Sequence, residues 1–231
     1  MFLAIRAQAF SLTPMSIELE PSGKEATKSF LLDNTTGEKI AVQISMAKRV
    51  LDVEGKETNP EADDEFIVYP PQLILAPNEK RTVRLTWAGQ TELKQELAYR
   101  IIAEQMPVDT EKKPKSKNAS IRMLLRYLGA VYITPKDSKP LLSVLEAKRV
   151  ENSKSGATLS LTVENRGTAH YVVKALKLTI TSGNKTAVLT PEQLKPVLGQ
   201  NILAGAKRRF TLAWPQSLPK GDPKVDFRLE D

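Results

Sequence analysis

The feature that most constrains this chain is a period-two alternation of apolar and polar residues, repeated in short segments along its length. Residues 39–50 place Ile40, Val42 and Ile44 on one side and Ala41, Gln43 and Ser45 on the other. Segments 10–20, 26–34, 66–89, 97–108, 141–150, 157–165, 171–182, 185–190 and 207–215 behave alike. Side chains at i and i+2 share a face only in an extended chain, so each segment predicts a strand buried on one side, and 66–89, broken by its prolines and the turn "APNEK", predicts two. Turn residues separate the segments at intervals of roughly 8–15 residues, the texture of an all-β sandwich or barrel. No stretch sustains a helical period. "TELKQELAY" (91–99) is expected to open with one helical turn, and "EGKETNPEADDE" (54–65) is a polar excursion with no apolar side.

The texture breaks at "PKDSKP" (135–140), which has a proline at each end and reads as a linker. Each side holds about seven short strands, the number in an immunoglobulin-like sandwich. We therefore divide the chain into a first domain over 10–136 and a second over 137–231. Residues 1–9 ("MFLAIRAQA") combine an apolar patch with the small-x-small pattern "AQA" and read as a signal-peptide remnant, so export with a mature start near Phe10 is expected. No run approaches the ~20 apolar residues of a membrane helix.

Composition removes several classes of chemistry. The absence of Cys excludes disulfides, zinc–thiolate sites and a cysteine nucleophile. A single His, His170, follows "NRGTA" and reads as a turn residue, leaving little for metal binding or Ser-His-Asp catalysis. No Gly-rich phosphate loop, GxSxG or HExxH is present, and "EADDE" (61–65) lacks EF-hand spacing. Neither an enzyme nor a cofactor or metal site is expected. The net charge of +7 raises nucleic-acid binding, but the densest cluster (Lys112, Lys113, Lys115, Lys117) has no aromatic neighbours on which bases would stack. A solvated basic surface is expected instead.

One segment departs from the one-sided rule. In "SIRMLLRYLGAVYITP" (120–135), Ile121, Met123, Leu125, Tyr127, Val131 and Ile133 point one way, interrupted by Gly129. Leu124, Leu128, Ala130 and Tyr132 point the other way, between Arg122 and Arg126. Large apolar residues on both faces of a strand beside a polar, basic loop call for a second burying surface. From periodicity alone, ordinary core packing of Ile121, Met123 and Leu125 and presentation to a partner are equally open.

"YPPQLILAPNEKRTVRLTW", "AYRIIAEQMPV" and "IRMLLRYLGAVYITP" together resemble the N-terminal domain of periplasmic pilus-assembly chaperones of the chaperone–usher pathway, closer to the archaic branch than to the classical type 1 or P pilus members. Pro77, Val83, Arg84, Tyr99, Arg100, Pro107 and Pro135 match the family pattern, with Asn78 where Gly is usual. "VENRGTAHYVVKALKL" and "ILAGAKRRFTL" carry a weaker resemblance in the second domain.

The resemblance implies two immunoglobulin-like β-sandwich domains arranged as an L with an interdomain cleft, and a non-enzymatic periplasmic protein. Its partners would be fimbrial subunits and an outer-membrane usher, with self-association through the donor strand as a further state and no role for nucleic acid or membrane insertion. The strand over 120–134 would be lent to a subunit that lacks one, a form of β-augmentation. Ile121, Met123, Leu125 and Tyr127 would be the side chains given away. Classical members hold the subunit's C-terminal carboxylate with an Arg and a Lys. Those positions carry Ser16 and Ala130 in this chain, so Arg84, Arg100 and Arg126 are the candidate replacements. A tandem-sandwich adhesin or other cell-surface binding protein is the alternative; an exposed aromatic cluster would favour it, whereas Trp87 and Trp214 sit in strand patterns that suggest core.

Overall fold

A computed structural model describes residues 10–107, 124–151 and 156–230. The strands of its first half are β1 (Phe10–Thr13), β2 (Ser16–Leu19), β3 (Thr27–Asn34), β4 (Ile40–Lys48), β5 (Val50–Leu51), β6 (Glu57–Thr58), β7 (Phe66–Tyr69), β8 (Gln72–Leu75), β9 (Lys80–Trp87), β10 (Leu97–Met106) and β11 (Arg126–Ile133). The second half holds β12 (Leu142–Val150), β13 (Thr158–Asn165), β14 (Tyr171–Val172), β15 (Leu176–Ser182), β16 (Lys185–Val188), a single helical turn α1 (Pro191–Leu194), β17 (Asn201–Ile202), β18 (Lys207–Ala213) and β19 (Lys224–Leu229).

The first unit packs a β1-β3-β9-β7 sheet against a β2-β11-β10-β4-β8 sheet. Alternate residues face the space between them. Phe30, Leu32, Val83 and Leu85 come from one sheet, and Val42, Ile44, Ile101, Ala103, Val131 and Ile133 from the other; all are buried. The segment 10–20 is shared between the sheets: β1 runs antiparallel to β3, whereas β2 runs parallel to β11. Pro14 lies at the crossing, where a residue without an N–H interrupts neither ladder. Residues 66–89 form three strands rather than the two expected, because Pro70–Pro71 moves the chain from the first sheet to the second and Pro77–Asn78 moves it back. Asn78 has φ 60°. Asn enters this left-handed region more readily than other non-glycine residues, which explains how it stands where the family has Gly.

The second unit has a β12-β13-β18 sheet, a β16-β15-β19 sheet and a short β14-β17 pair. Leu159, Leu161, Val163, Leu178, Ile180, Val197, Phe210, Leu212 and Trp214 fill its core. Strand β19 was not foreseen, because "KVDFRL" is charged on one side and only Val225 and Phe227 pack inward.

The compact units are not contiguous in sequence. The main division falls between Thr134 and Pro135, but residues 50–58 and 94–97 cluster with the second unit. This corrects the uninterrupted 10–136 domain. The polar excursion has no apolar face to bury in the first sandwich. Its first part, with residues 50–53 before it, folds as the β5–β6 hairpin; Val53 O accepts from the Arg209 N–H (2.7 Å) and Glu54 from the Arg209 guanidinium (2.7 Å), while residues 59–65 stay with the first unit. Residues 91–96 form no helix. Instead, buried Glu96 donates its N–H to Thr168 O and accepts from the His170 N–H (3.0 Å), with its carboxylate 2.7 Å from His170 Nδ1.

Both units use the same device at a strand end. Asn34 Nδ2 donates to Glu38 O and Ala76 O while its Oδ1 accepts from the Thr36 N–H. Asn165 Nδ2 donates to Ala169 O and Ile202 O while its Oδ1 accepts from the N–H groups of Gly167 and Leu141. Each buried amide thus closes its own turn and ties it to a distant strand.

Candidate functional site: an open-edged strand

The site is β11. Its inward row, Leu125, Tyr127, Gly129, Val131 and Ile133, is graded in burial. Val131 and Ile133 are fully buried, whereas Tyr127 and Leu125 retain some exposure. Tyr127 sets its ring edge-on to Phe10, with centroids 4.8 Å apart. At Gly129 a Cβ would lie 2.7 Å from Ile101 Cγ2 and 3.4 Å from Leu12 Cδ2. The glycine that interrupts the apolar row is therefore what lets β11 lie close over the core. On the other row Arg126 is exposed, while Ala130 and Tyr132 are buried.

The hydrogen-bonding edge is graded too. One side of β11 is occupied by β10, with the Gln105 N–H donating to Leu125 O (2.9 Å). On the other side β2 pairs only with Ala130–Ile133, and the Ala130 N–H bonds Met15 O at the point where that pairing begins. Residues 126–129 have no strand on that side among the described residues. The result is an apolar row running out from the core along an unpaired edge. Ile121 and Met123 lie outside the described residues, as do the lysines of 112–117.

Ser16 and Ala130, the positions matching the family's Arg and Lys, are register partners in the β2–β11 ladder. The three arginine candidates are not brought together. Arg84 lies on the exposed face of the other sheet, opposite Ser29 and Tyr69. Arg126 lies at the open end of β11, 3.8 Å from Glu104. Arg100 projects from the outward row of β10, opposite Ala47. The sequence reading missed Arg49, whose Nη1 donates to Tyr132 Oη at 2.8 Å, on the face that Tyr132 shares with Ala130. Arg49 follows β4 in a plain "AKRV", with no motif to mark it; only the pairing of β4, β10 and β11 brings it to this face.

Two of the "EADDE" carboxylates are structural. Asp63 Oδ1 accepts from the Met46 N–H, and Glu65 accepts from Tyr99 Oη (2.6 Å) and pairs with Lys48 (2.8 Å). Burial alone would raise the Glu65 pKa, but the bonds from Lys48 and Tyr99 outweigh it and hold the carboxyl below its usual range. Burial, and then the hydrogen bond to Glu65, push the Tyr99 phenol upward. No group of His, Asp and Glu suited to a metal occurs among the described residues. Trp87 and Trp214 are both buried, as their strand patterns suggest, while Tyr69 is exposed.

The family model for pili and flagellar-assembly chaperones, PapD N-terminal domain, matches residues 10–139. No match was found among curated proteins. Among solved structures, the chain resembles the CsuC–CsuE chaperone–tip subunit pre-assembly complex from archaic Csu pili of Acinetobacter baumannii (TM-score 0.62, 19% identity, covering 95% of this chain and 97% of that one). It also resembles the class 5 fimbriae chaperone CfaA (0.59, 16%, 96% and 100%) and the SafB chaperone in complex with the Salmonella enterica SafA pilin (0.55, 16%, 98% and 99%). At these identities the structures establish the shared fold: two immunoglobulin-like β-sandwich domains. The chain belongs to the family of pilus and flagellar assembly chaperones.

Proposed function

We propose that the protein works in the periplasm, lends the β11 edge and its apolar row to a fimbrial subunit with an incomplete sandwich, and passes that subunit to an outer-membrane usher. The observation that carries this reading is the unpaired edge at 126–129 beneath a row that continues the chaperone's own core. A strand added there would gain main-chain bonds from the edge, while Leu125, Tyr127 and the residues before them fill its groove. No nucleotide is required, because the energy lies in completing the subunit's core. We further propose Arg49 and Arg100, rather than Arg84, as the cations for the subunit's terminal carboxylate. Arg100 stands on β10, the strand beside β11, Arg49 follows β4 and bonds Tyr132 of β11, and a guanidinium fork suits a carboxylate.

The test is co-expression with a tagged fimbrial subunit. Ile121→Asp, Met123→Asp and Leu125→Asp together should abolish capture with a near-normal melting temperature. A collapsed melting temperature would instead make these residues core and sink the donor role. Arg49→Ala and Arg100→Ala should each weaken capture by about 2–5 kcal/mol, the usual cost of removing one partner of a desolvated charge pair. Arg84→Ala should not affect this anchor; equal effects at all three positions would refute the assignment.

A further inference from the structure

The apolar row that ends in β11 is chemically uniform except at one place. By sequence it runs Ile121, Met123, Leu125, Tyr127, Gly129, Val131 and Ile133. Aliphatic pockets accept Ile, Met and Leu almost interchangeably. A slip of two residues keeps every side chain on its face, so it only exchanges one apolar contact for another. Tyr127 is the exception, because its phenol is the single O–H or N–H group among the side chains of the row. Three features place that phenol where an added strand meets it. Tyr127 lies within the unpaired stretch 126–129 and is part-exposed, whereas Val131 and Ile133 are fully buried. Its ring stands edge-on to Phe10, with centroids 4.8 Å apart and planes at 79°, and Phe10 is itself buried, so the ring is braced from the core side. Its oxygen makes no hydrogen bond with another of the described residues. Beyond it Gly129 carries no side chain, and the bond from the Ala130 N–H to Met15 O closes the edge. Tyr127 is thus the last side chain that the open row offers.

We infer that Tyr127 sets the register of the captured subunit by donating its phenol O–H to an acceptor oxygen on that subunit; this rests on strand donation by β11. In the free protein, water solvates the phenol. Once a subunit covers it, the phenol needs a partner, because a buried hydroxyl left without one is costly. One register supplies that partner. A shift by two residues carries the phenol into a pocket shaped for an aliphatic side chain, or sets the Gly129 gap where the ring belongs. A single polar side chain in an otherwise apolar seam fixes the alignment of coiled coils in the same way. The brace from Phe10 makes the device precise, since a ring held on one side presents its oxygen at one point rather than over an arc.

The experiment uses the absence of Cys from the chain, which makes one introduced cysteine unique. Leu128→Cys, on the unpaired edge beside Tyr127, is co-expressed with a tagged fimbrial subunit that carries one added cysteine, moved in turn along the strand flanking its groove. Disulfide yield then reports which subunit residue stands opposite position 128. With Tyr127 present, one subunit position should dominate. Tyr127→Phe keeps the ring and its contact with Phe10. It should raise the yield two residues away about tenfold relative to the dominant position, and the complex should dissociate about tenfold faster on dilution. Tyr69→Phe removes an exposed phenol from the other sheet and should change neither quantity. Melting temperatures of the free proteins should match, because both phenols are solvated there. An unchanged single-position pattern in Tyr127→Phe, or an equal effect of Tyr69→Phe, would overturn the register role and leave strand donation standing. Cross-links at no subunit position would refute strand donation, and this inference with it.

Discussion

Replacing Gly129 with Ala should destabilise the first unit, although a glycine inside a strand ordinarily invites the opposite result. Removing a strand glycine in favour of Ala normally gains roughly 0.5–1 kcal/mol. Here the new methyl would sit 2.7 Å from Ile101 Cγ2 and 3.4 Å from Leu12 Cδ2, both on fully or nearly fully buried side chains of the core. Ile101 Cγ2 is bound to a branched Cβ, so it cannot swing aside as the end of a long chain would. Overpacking of this kind costs about 1–3 kcal/mol, which leaves a net loss of up to about 2.5 kcal/mol. Urea unfolding in a Trp214→Phe background, followed by Trp87 fluorescence, isolates the first unit. Trp87 is buried there against Phe66 (centroids 5.0 Å). Ile101→Ala alone should cost about 2–5 kcal/mol as a cavity. In the double variant the methyl introduced by Gly129→Ala occupies part of the space that Ile101 vacates. The two losses should then fall short of their sum by about 1 kcal/mol, as expected for residues in contact. A Gly129→Ala protein more stable than its parent, or strictly additive losses, would refute the claim that close approach of β11 requires this glycine. The same displacement would carry Leu125 and Tyr127 with it, so subunit capture should weaken as well.

Asn165→Ala should remove about 3–5 kcal/mol from the second unit, because one fully buried amide satisfies four backbone groups and each group stranded in the core costs roughly 1–3 kcal/mol; denaturation monitored through Trp214 checks it, and a loss below about 1 kcal/mol would show that water replaces the amide. Glu65 has a folded pKa below its ordinary 4.5, so its contribution is present above that value and lost as pH falls through the lower folded one. Glu65→Gln should therefore melt earlier than the parent at neutral pH and approach it on acidification below 4.5; a deficit that does not depend on pH would contradict this. Tyr99 has a raised folded pKa, so its contribution is complete below the ordinary 10.0 and declines above it. Tyr99→Phe should show a shallower loss of melting temperature above pH 10 than the parent, and identical alkaline slopes would count against the buried phenol.

The sequence by itself determined which residues are inside. Alternation is a local property of an extended chain, and the buried rows at Ile40, Val42 and Ile44, at Leu159, Leu161 and Val163, and at Val131 and Ile133 follow it. It also marked 120–135 as an unusual strand, because apolar residues on both faces need two burying surfaces whatever the fold. Period-two alternation does not reveal which strand pairs with which, and the rest was decided there. The parallel β2–β11 register ends at Ala130, and only that end point exposes the edge at 126–129. Arg84 and Arg100 are each part of a motif, yet sheet order sends one to the far sheet and sets the other beside β11, next to an Arg49 that no motif marked. Residues 50–58 and buried Glu96 join the second unit through Arg209 and His170, partners more than seventy residues away. Hydrogen bonds and ion pairs between such distant residues leave no period in either segment, and only the folded chain brings them together.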